Sequence, residues 1–392
     1  YFVNTTSGEI DVTLPAGTAG AVVAVKDYAN TWDTNNCILI SNGSEKIGGS
    51  TNNAILSTEG LAVTLIYIDS TQGWLVTDDG LQSVAVTDPF IQATGGTITN
   101  TPTCRIHTFT GPGTFSVTAL AASAANNEIS YLVVAGGGSG GARNPGNTNG
   151  GGGGGGFRED KSPVTPYTAS PLDGAGPVTV TVTNFPITVG GGGPAISQTP
   201  SNLRGNNGSN SVFSGKTATG GGGGGGGGND TPLTVGKPGG SGGGSGGGVP
   251  GTQGGDGNTP PTNPPQGRSG GSGGGGPGPS GGGGGATEVG QNAVSTTVSG
   301  RGGAGATTSI SGSPLGYGGG AGGSSRAGPV QGAGSPCGSG GAGAINPSGP
   351  GPAFNGKTNR GGGGGGGYAG GCVAGTSGAG GSGVVIIRYK FQ

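Results

Sequence analysis

Gly220-Gly-Gly-Gly-Gly-Gly-Gly-Gly-Gly228 is an unbroken run of nine glycines, and shorter runs recur at 150–156, 281–285 and 361–367. Only thirteen of the 106 glycines precede residue 136, so the rest crowd into the last two-thirds of the chain. Glycine loses the most backbone freedom on folding and brings no side chain to a core, which excludes ordinary helices and sheets there. Two outcomes fit the composition: flexible coil, or extended polyproline-II-like helices packed side by side because no Cβ holds them apart. Collagen does not fit, since the Gly-X-Y period is absent. A polyproline-II helix has three residues per turn and no internal hydrogen bonds, so every N–H and C=O must pair with a neighbouring rod. At roughly 3.1 Å per residue, the nine-glycine run spans about 28 Å, one layer of a compact slab.

The flanks decide between coil and bundle. The glycine-rich segment is entered through Glu128-Ile-Ser-Tyr-Leu-Val-Val-Ala135 and left through Val384-Val-Ile-Ile-Arg-Tyr-Lys-Phe391, both β-branched or aromatic runs bounded by glycine. Just upstream, Arg105–Thr110 and Thr114–Thr118 flank Gly111-Pro112-Gly113, which predicts a hairpin. These strands predict a small antiparallel β platform, residues 89–135 with their linker, completed by 384–392. It carries a polyglycine-II bundle over 136–383. Residues 1–88 differ: short strands at 11–15, 21–26, 37–40, 61–68 and 73–77, separated by Gly, Asn, Asp and Ser clusters, predict a compact all-β module with an ordinary core. Trp32 and Trp74 read as core or subunit-interface residues, with glycan stacking as the alternative. The fold class is therefore all-β module, β platform and polyglycine-II bundle, with essentially no α-helix beyond a turn within 119–127.

Phe109 to Phe115, Tyr131-Leu-Val-Val-Ala-Gly-Gly-Gly138, Gly208-Ser-Asn-Ser-Val-Phe213 and Gly383-Val-Val-Ile-Ile-Arg-Tyr389 together resemble the glycine-rich domain of bacteriophage tail-fibre proteins, over residues 104–392. The architecture is also similar to adhesin tips on the long tail fibres of T-even-like phages, whose polyglycine-II helices present loops to a bacterial receptor. Val3–Gly8, Val25–Tyr28 and Thr71–Leu75 resemble a small tail-fibre β-domain that forms trimeric shafts. The resemblance implies a non-enzymatic virion protein, a homotrimer joined to upstream tail-fibre or virion proteins, that binds a bacterial surface glycan or outer-membrane protein. A head fibre or capsid decoration, and an ice-binding protein, are the rival readings. The chain begins at Tyr1 and has no methionine, which suggests a piece of a longer polypeptide or a processed product.

Net charge −1 with 8% charged residues leaves no basic footprint for nucleic acid. No run of 18 apolar residues predicts membrane insertion. Cys37, Cys104, Cys337 and Cys372 lack metal-site spacing; free thiols and a Cys337–Cys372 disulfide both remain open. Gly351-Pro-Ala-Phe-Asn-Gly-Lys-Thr358 matches a phosphate-loop pattern, but no strand precedes it and seven glycines follow where a helix is required. The lone His107 reads as a strand residue, and Arg158-Glu-Asp-Lys161 as charges that pair with one another or solvate a loop. No cofactor is indicated.

Function in such a bundle belongs to the connections, because rods without side chains offer a featureless wall. The connections alternate between two ends. The end away from the platform is expected to carry residues 142–149, part of 194–207, 249–269 and 344–360. The receptor-binding candidates there are Arg143, Asn144, Asn147, Asn202, Arg204, Asn206, Thr259, Asn263, Gln266, Arg268, Phe354, Asn355, Lys357 and Asn359.

Overall fold

The computed structural model describes residues 1–80, 90–142, 147–197, 203–228, 230–275, 278–294, 297–326, 332–345, 353–368 and 376–391. The chain divides into two compact units, Tyr1–Thr87 and Asp88–Gln392.

In the first unit, β1 (Phe2–Val3), β3 (Val22–Asp27), β6 (Ala62–Asp69) and β7 (Gly73–Asp78) form one sheet in that order, and β2 (Ile10–Thr13), β4 (Cys37–Ile40) and β5 (Ala54–Leu56) form another. β3 alternates buried with mostly exposed residues and β6 buried with half-buried ones, the signature of a strand more fully covered on one side. Trp32 and Trp74 are wholly buried in a cluster with Val25, Leu39 and Leu65, so neither is a surface platform for sugars. Asp27 anchors the turn beyond β3: its carboxylate accepts from the N–H groups of Thr31, Trp32 and Gly60.

The second unit begins with β8 (Gln92–Thr94), β9 (Thr97–Asn100), β10 (Cys104–Phe109), β11 (Gly113–Ala119) and a 3-10 turn at Ala124–Asn127. It continues through β12 (Glu128–Val134), β13 (Phe157–Asp160), β14 (Val178–Thr179), β15 (Asn184–Thr188), β16 (Ser211–Phe213), β17 (Lys216–Ala218), β18 (Ala306–Thr308), β19 (Leu315–Tyr317) and β20 (Val384–Lys390). One sheet runs β13-β12-β20-β10-β9, with β14 also on β12; a second runs β17-β16-β15-β11-β8. Val134 faces Val384 across the β12–β20 pair, so the bundle's first and last rods leave the platform side by side. β12 and β20 read as continuous apolar runs because both their faces are covered. Tyr131, Val133, Val385 and Ile387 pack with Phe115, Ile187 and Phe213 of the second sheet. Leu132, Val134 and Ile386 pack on Phe157, Ile310 and Tyr317.

The expected hairpin across Gly111-Pro112-Gly113 is not one. β10 pairs with β9 and β20, and β11 pairs with β8 and β15, so the turn is a corner between two sheets. The corner buries both Phe109 and Phe115 in the core between the sheets, which a flat two-stranded ribbon would leave half exposed. Arg158-Glu-Asp-Lys161 is likewise neither a self-paired cluster nor a solvated loop. Arg158, Glu159 and Asp160 lie buried in β13; Arg158 donates to the carbonyls of Pro264, Asn263 and Ala175. Glu159 accepts from Ser170 N–H and the Thr308 hydroxyl, and Asp160 accepts from Gly176 N–H.

The glycine runs are polyglycine-II rods, and their bonding counts in threes. From 150–156, Gly150, Gly153 and Gly156 donate to Gly225, Gly222 and Thr219; Gly151 and Gly154 donate to Gly281 and Gly284; Gly152 and Gly155 donate to Gly364 and Gly361. In return, this rod's carbonyls accept from Gly138 and Gly141, from Ser241 and Gly244, and from Ala321. Three residues per turn thus send successive N–H groups to three different neighbours and successive carbonyls to three more. The rod is surrounded by six others and entirely buried. A Cβ added at Gly153 would collide with the backbone of Ser241 and Gly242, and one at Gly154 with that of Gly318. Backbone pairing takes the place of a hydrophobic core.

Candidate recognition surface

Levels within the bundle follow from the ladder. Gly220 stands just after β17 and Gly228 at the far end of the same rod; Gly240 donates to Gly220, and Asn258 donates to Gly240. The 258–266 loop therefore lies against the platform. There Phe157 N–H donates to Gln266 O, and the Arg158 guanidinium meets the carbonyls of Asn263 and Pro264. Asn258 Oδ1 organises the loop by accepting from the N–H groups of Thr262 and Gln266.

This placement corrects the expected distal set. Residues 249–269 are not one distal connection: they comprise a far-end turn at 249–252, a descending rod, and the platform loop. Thr259, Asn263, Gln266 and Arg268 belong to the platform end or the rod just leaving it. Gln266 is buried and structural, its side chain accepting from Thr219 N–H and donating to Pro260 O. The 353–360 segment also descends. Lys357 N–H donates to Ser339 O, and Asn359 bonds Ser382, two residues before β20. Asn359 sits at φ 58° and Gly361 at φ 63°, a left-handed turn that reverses the chain beside the platform. Phe354 and Asn355 are exposed on the flank, with Asn355 Oδ1 accepting from Ala379 N–H. Asn206 is a stitch between rods, bonded to Ser139 Oγ and Pro194 O. Asn147 and Arg204 are half-buried in the half away from the platform. Arg143, Asn144 and Asn202 lie outside the described residues, as do Cys372 and the start of the Gly351–Thr358 motif. Cys37, Cys104 and Cys337 are free thiols.

The far end is built from short bridges between neighbouring connections: Ala142 with Leu203, Thr148 with Tyr368, Ser197 with Thr376, Gly248 with Gly275, and Ser325 with Ile345. Asn149, at the mouth of the central rod, holds this end together. Its side chain donates to Gly367 O and accepts from Gly227 N–H, while its carbonyl accepts from Ser280. Nothing but its position ahead of seven glycines marked it in sequence. Around it Asp230, Thr231, Pro250, Val294, Thr297 and Arg326 are exposed.

Lateral backbone pairing between glycine rods, closed by strands at 128–134 and 384–390, is what sets this architecture apart. The chain belongs to the glycine-rich domain family. The family's profile matches residues 109–390, which contain β11, the whole bundle and β20. No curated protein matches the sequence. Among the described residues of this glycine-rich domain and the module before it, no helix is long and apolar enough to cross a membrane.

Proposed function

We propose that the chain is a non-enzymatic bacteriophage tail-fibre adhesin, part of the virion, that binds a bacterial surface receptor through the end of the bundle remote from the platform. One observation carries the reading: the bundle's interior rods hold little beyond glycine, alanine and serine, so most chemical variety is confined to turns and edge rods on a rigid support. The glycine-rich domain, the platform and the tail-fibre-like phrases of the first 88 residues all accord with it. The N-terminal module serves as a trimerising shaft element linked to upstream virion proteins, which light scattering on the purified chain will test.

The purified chain should compete with its virion for adsorption to host cells. Alanine at Asn147, Asp230 or Arg326, on the far end, should weaken that competition, whereas alanine at Thr259 or Asn359, beside the platform, should not. Equal competition by all variants, or none by the unmodified chain, would refute the reading. Locating the chain on the capsid would move it to a structural role.

A further inference from the structure

We infer that a groove on the bundle's flank is a binding site for an acidic saccharide, with Arg204 as the carboxylate ligand. The groove, about 460 Å³, lies within the size range of small-ligand sites. Arg204 forms part of its wall, Thr231, Val235 and Pro238 line it from the segment after the nine-glycine rod, and Gln253 and Asp256 from the descending rod opposite.

The ladder shows why Arg204 is not part of the scaffold. Asn210 Oδ1 accepts from Gly220 N–H and Asn207 Oδ1 from Gly223 N–H, three residues apart on each rod. The next rung up is Arg204, whose guanidinium cannot accept; Gly226 N–H turns instead to Leu233 O. Arg204 makes no ion pair among the described residues, and its Nε is buried without a hydrogen-bond partner. Lys237 lies close enough for Arg204 to help depress its pKa, after burial, and neither cation forms an ion pair among the described residues, although the Asp256 carboxylate also lines the groove. A half-buried, unsatisfied guanidinium beside a second cation is a site for a carboxylate, which it can hold through two parallel bonds.

The remaining lining selects a sugar. Thr231, Gln253 and Asp256 offer donors and acceptors for ring hydroxyls, Val235 and Pro238 small apolar faces for C–H edges, and glycines 236, 254 and 255 a flat backbone floor. An acidic peptide finds no deep apolar pocket here for an anchoring side chain.

This site rests on the adhesin reading, and the test separates the two. Calorimetric titration of the full chain with a uronic-acid-containing oligosaccharide, its neutral reduced counterpart, a phosphorylated oligosaccharide and an acidic peptide should show binding to the first alone. Arg204→Gln should weaken it about ten- to a hundredfold with unchanged thermal unfolding. Lys237→Gln should weaken it less, and Arg268→Gln, at the platform end, not at all. No binding of the acidic saccharide, equal binding by Arg204→Gln, or preference for the phosphorylated sugar or the peptide would overturn the groove. If the unmodified chain still bound host cells under any of those outcomes, the adhesin reading would survive; failure to bind cells would remove it independently.

Discussion

Gly153→Ala tests whether backbone pairing holds the bundle together. The added Cβ would strike the Ser241 carbonyl oxygen and lie 2.7 Å from that of Gly242, all backbone and unable to rotate away. Ordinary contact needs at least 3.4 Å, so the two rods must part by about 1 Å. The bonds across that interface, Ser241 N–H to Gly154 O at 3.1 Å and Gly244 N–H to Gly151 O at 2.8 Å, would then both exceed hydrogen-bonding distance. Each strands a buried donor and acceptor at about 1–3 kcal/mol, so the change should cost about 2–6 kcal/mol. For the Asp88–Gln392 unit, whose unfolding entropy at about 2.1 cal/mol/K per residue is large, that lowers Tm by about 3–10 °C. Gly191→Ala is the control: its Cβ meets nothing within 4 Å and its φ is not left-handed. It should stabilise by about 0.4–1 kcal/mol, through reduced entropy of the unfolded chain. Scanning calorimetry of the two variants reads both effects. Equal Tm values, or a loss at Gly191 comparable to that at Gly153, would mean that the rods do not pair as described.

Asn149→Ala should cost about 2–4 kcal/mol, by orphaning Gly227 N–H and Gly367 O; hydrogen exchange at Gly227 should accelerate, and unchanged protection would refute its role. Burial pushes the Glu159 carboxyl up against the opposing bonds from Ser170 and Thr308, so its contribution is full at low pH and lost as pH rises through the folded value. Glu159→Gln should therefore gain stability relative to the native chain as pH rises above the ordinary glutamate value of 4.5; a Tm difference that stays flat with pH would contradict this. Burial lowers the pKa of His107, whose Nδ1–H donates to Gly95 O while Nε2 accepts from the Tyr389 hydroxyl. Its stabilisation is present above about pH 6.5 and lost as pH falls towards the folded value, and His107→Gln should flatten that segment of the Tm–pH curve.

Much of this fold is written in composition. Glycine runs can satisfy their backbone only sideways, and the two apolar strands that bracket them are covered on both faces. Two things were hidden, each for a physical reason. Gly111-Pro112-Gly113 is compatible with a hairpin or a corner, and burial of Phe109 and Phe115 between sheets decides for the corner. The direction of each rod has no local signal, because a glycine run carries no side-chain asymmetry. Val235-Gly-Lys-Pro-Gly239, not a glycine run at all, is an extra downward pass: Leu233 meets Gly226 and Lys237 meets Gly223. It follows the four-residue helical turn Thr231–Thr234, which sequence reading missed. Overlooking that pass inverted the end assigned to residues 258–268.

The same pass explains why the flank can carry chemistry at all. Inside the lattice each glycine of the 150–155 rod faces a neighbouring rod, and a Cβ at any of its three rotational positions would meet backbone, so that only small residues such as Ser241 and Ala321 stand elsewhere in the interior. At the edge, every third residue is released from that constraint. On the 203–210 rod, that series faces the Val235–Gly239 pass, where Asn207 also donates to Pro238 O. Two of its positions, Asn207 and Asn210, are occupied by asparagines that return their acceptors to the lattice, and the third by an arginine that does not. Replacing Arg204 with asparagine should leave Gly226 N–H on Leu233 O, remove the buried, unpartnered Nε and so leave the bundle no less stable, while abolishing affinity for a carboxylate. A loss of stability in Arg204→Asn would instead make the guanidinium part of the scaffold.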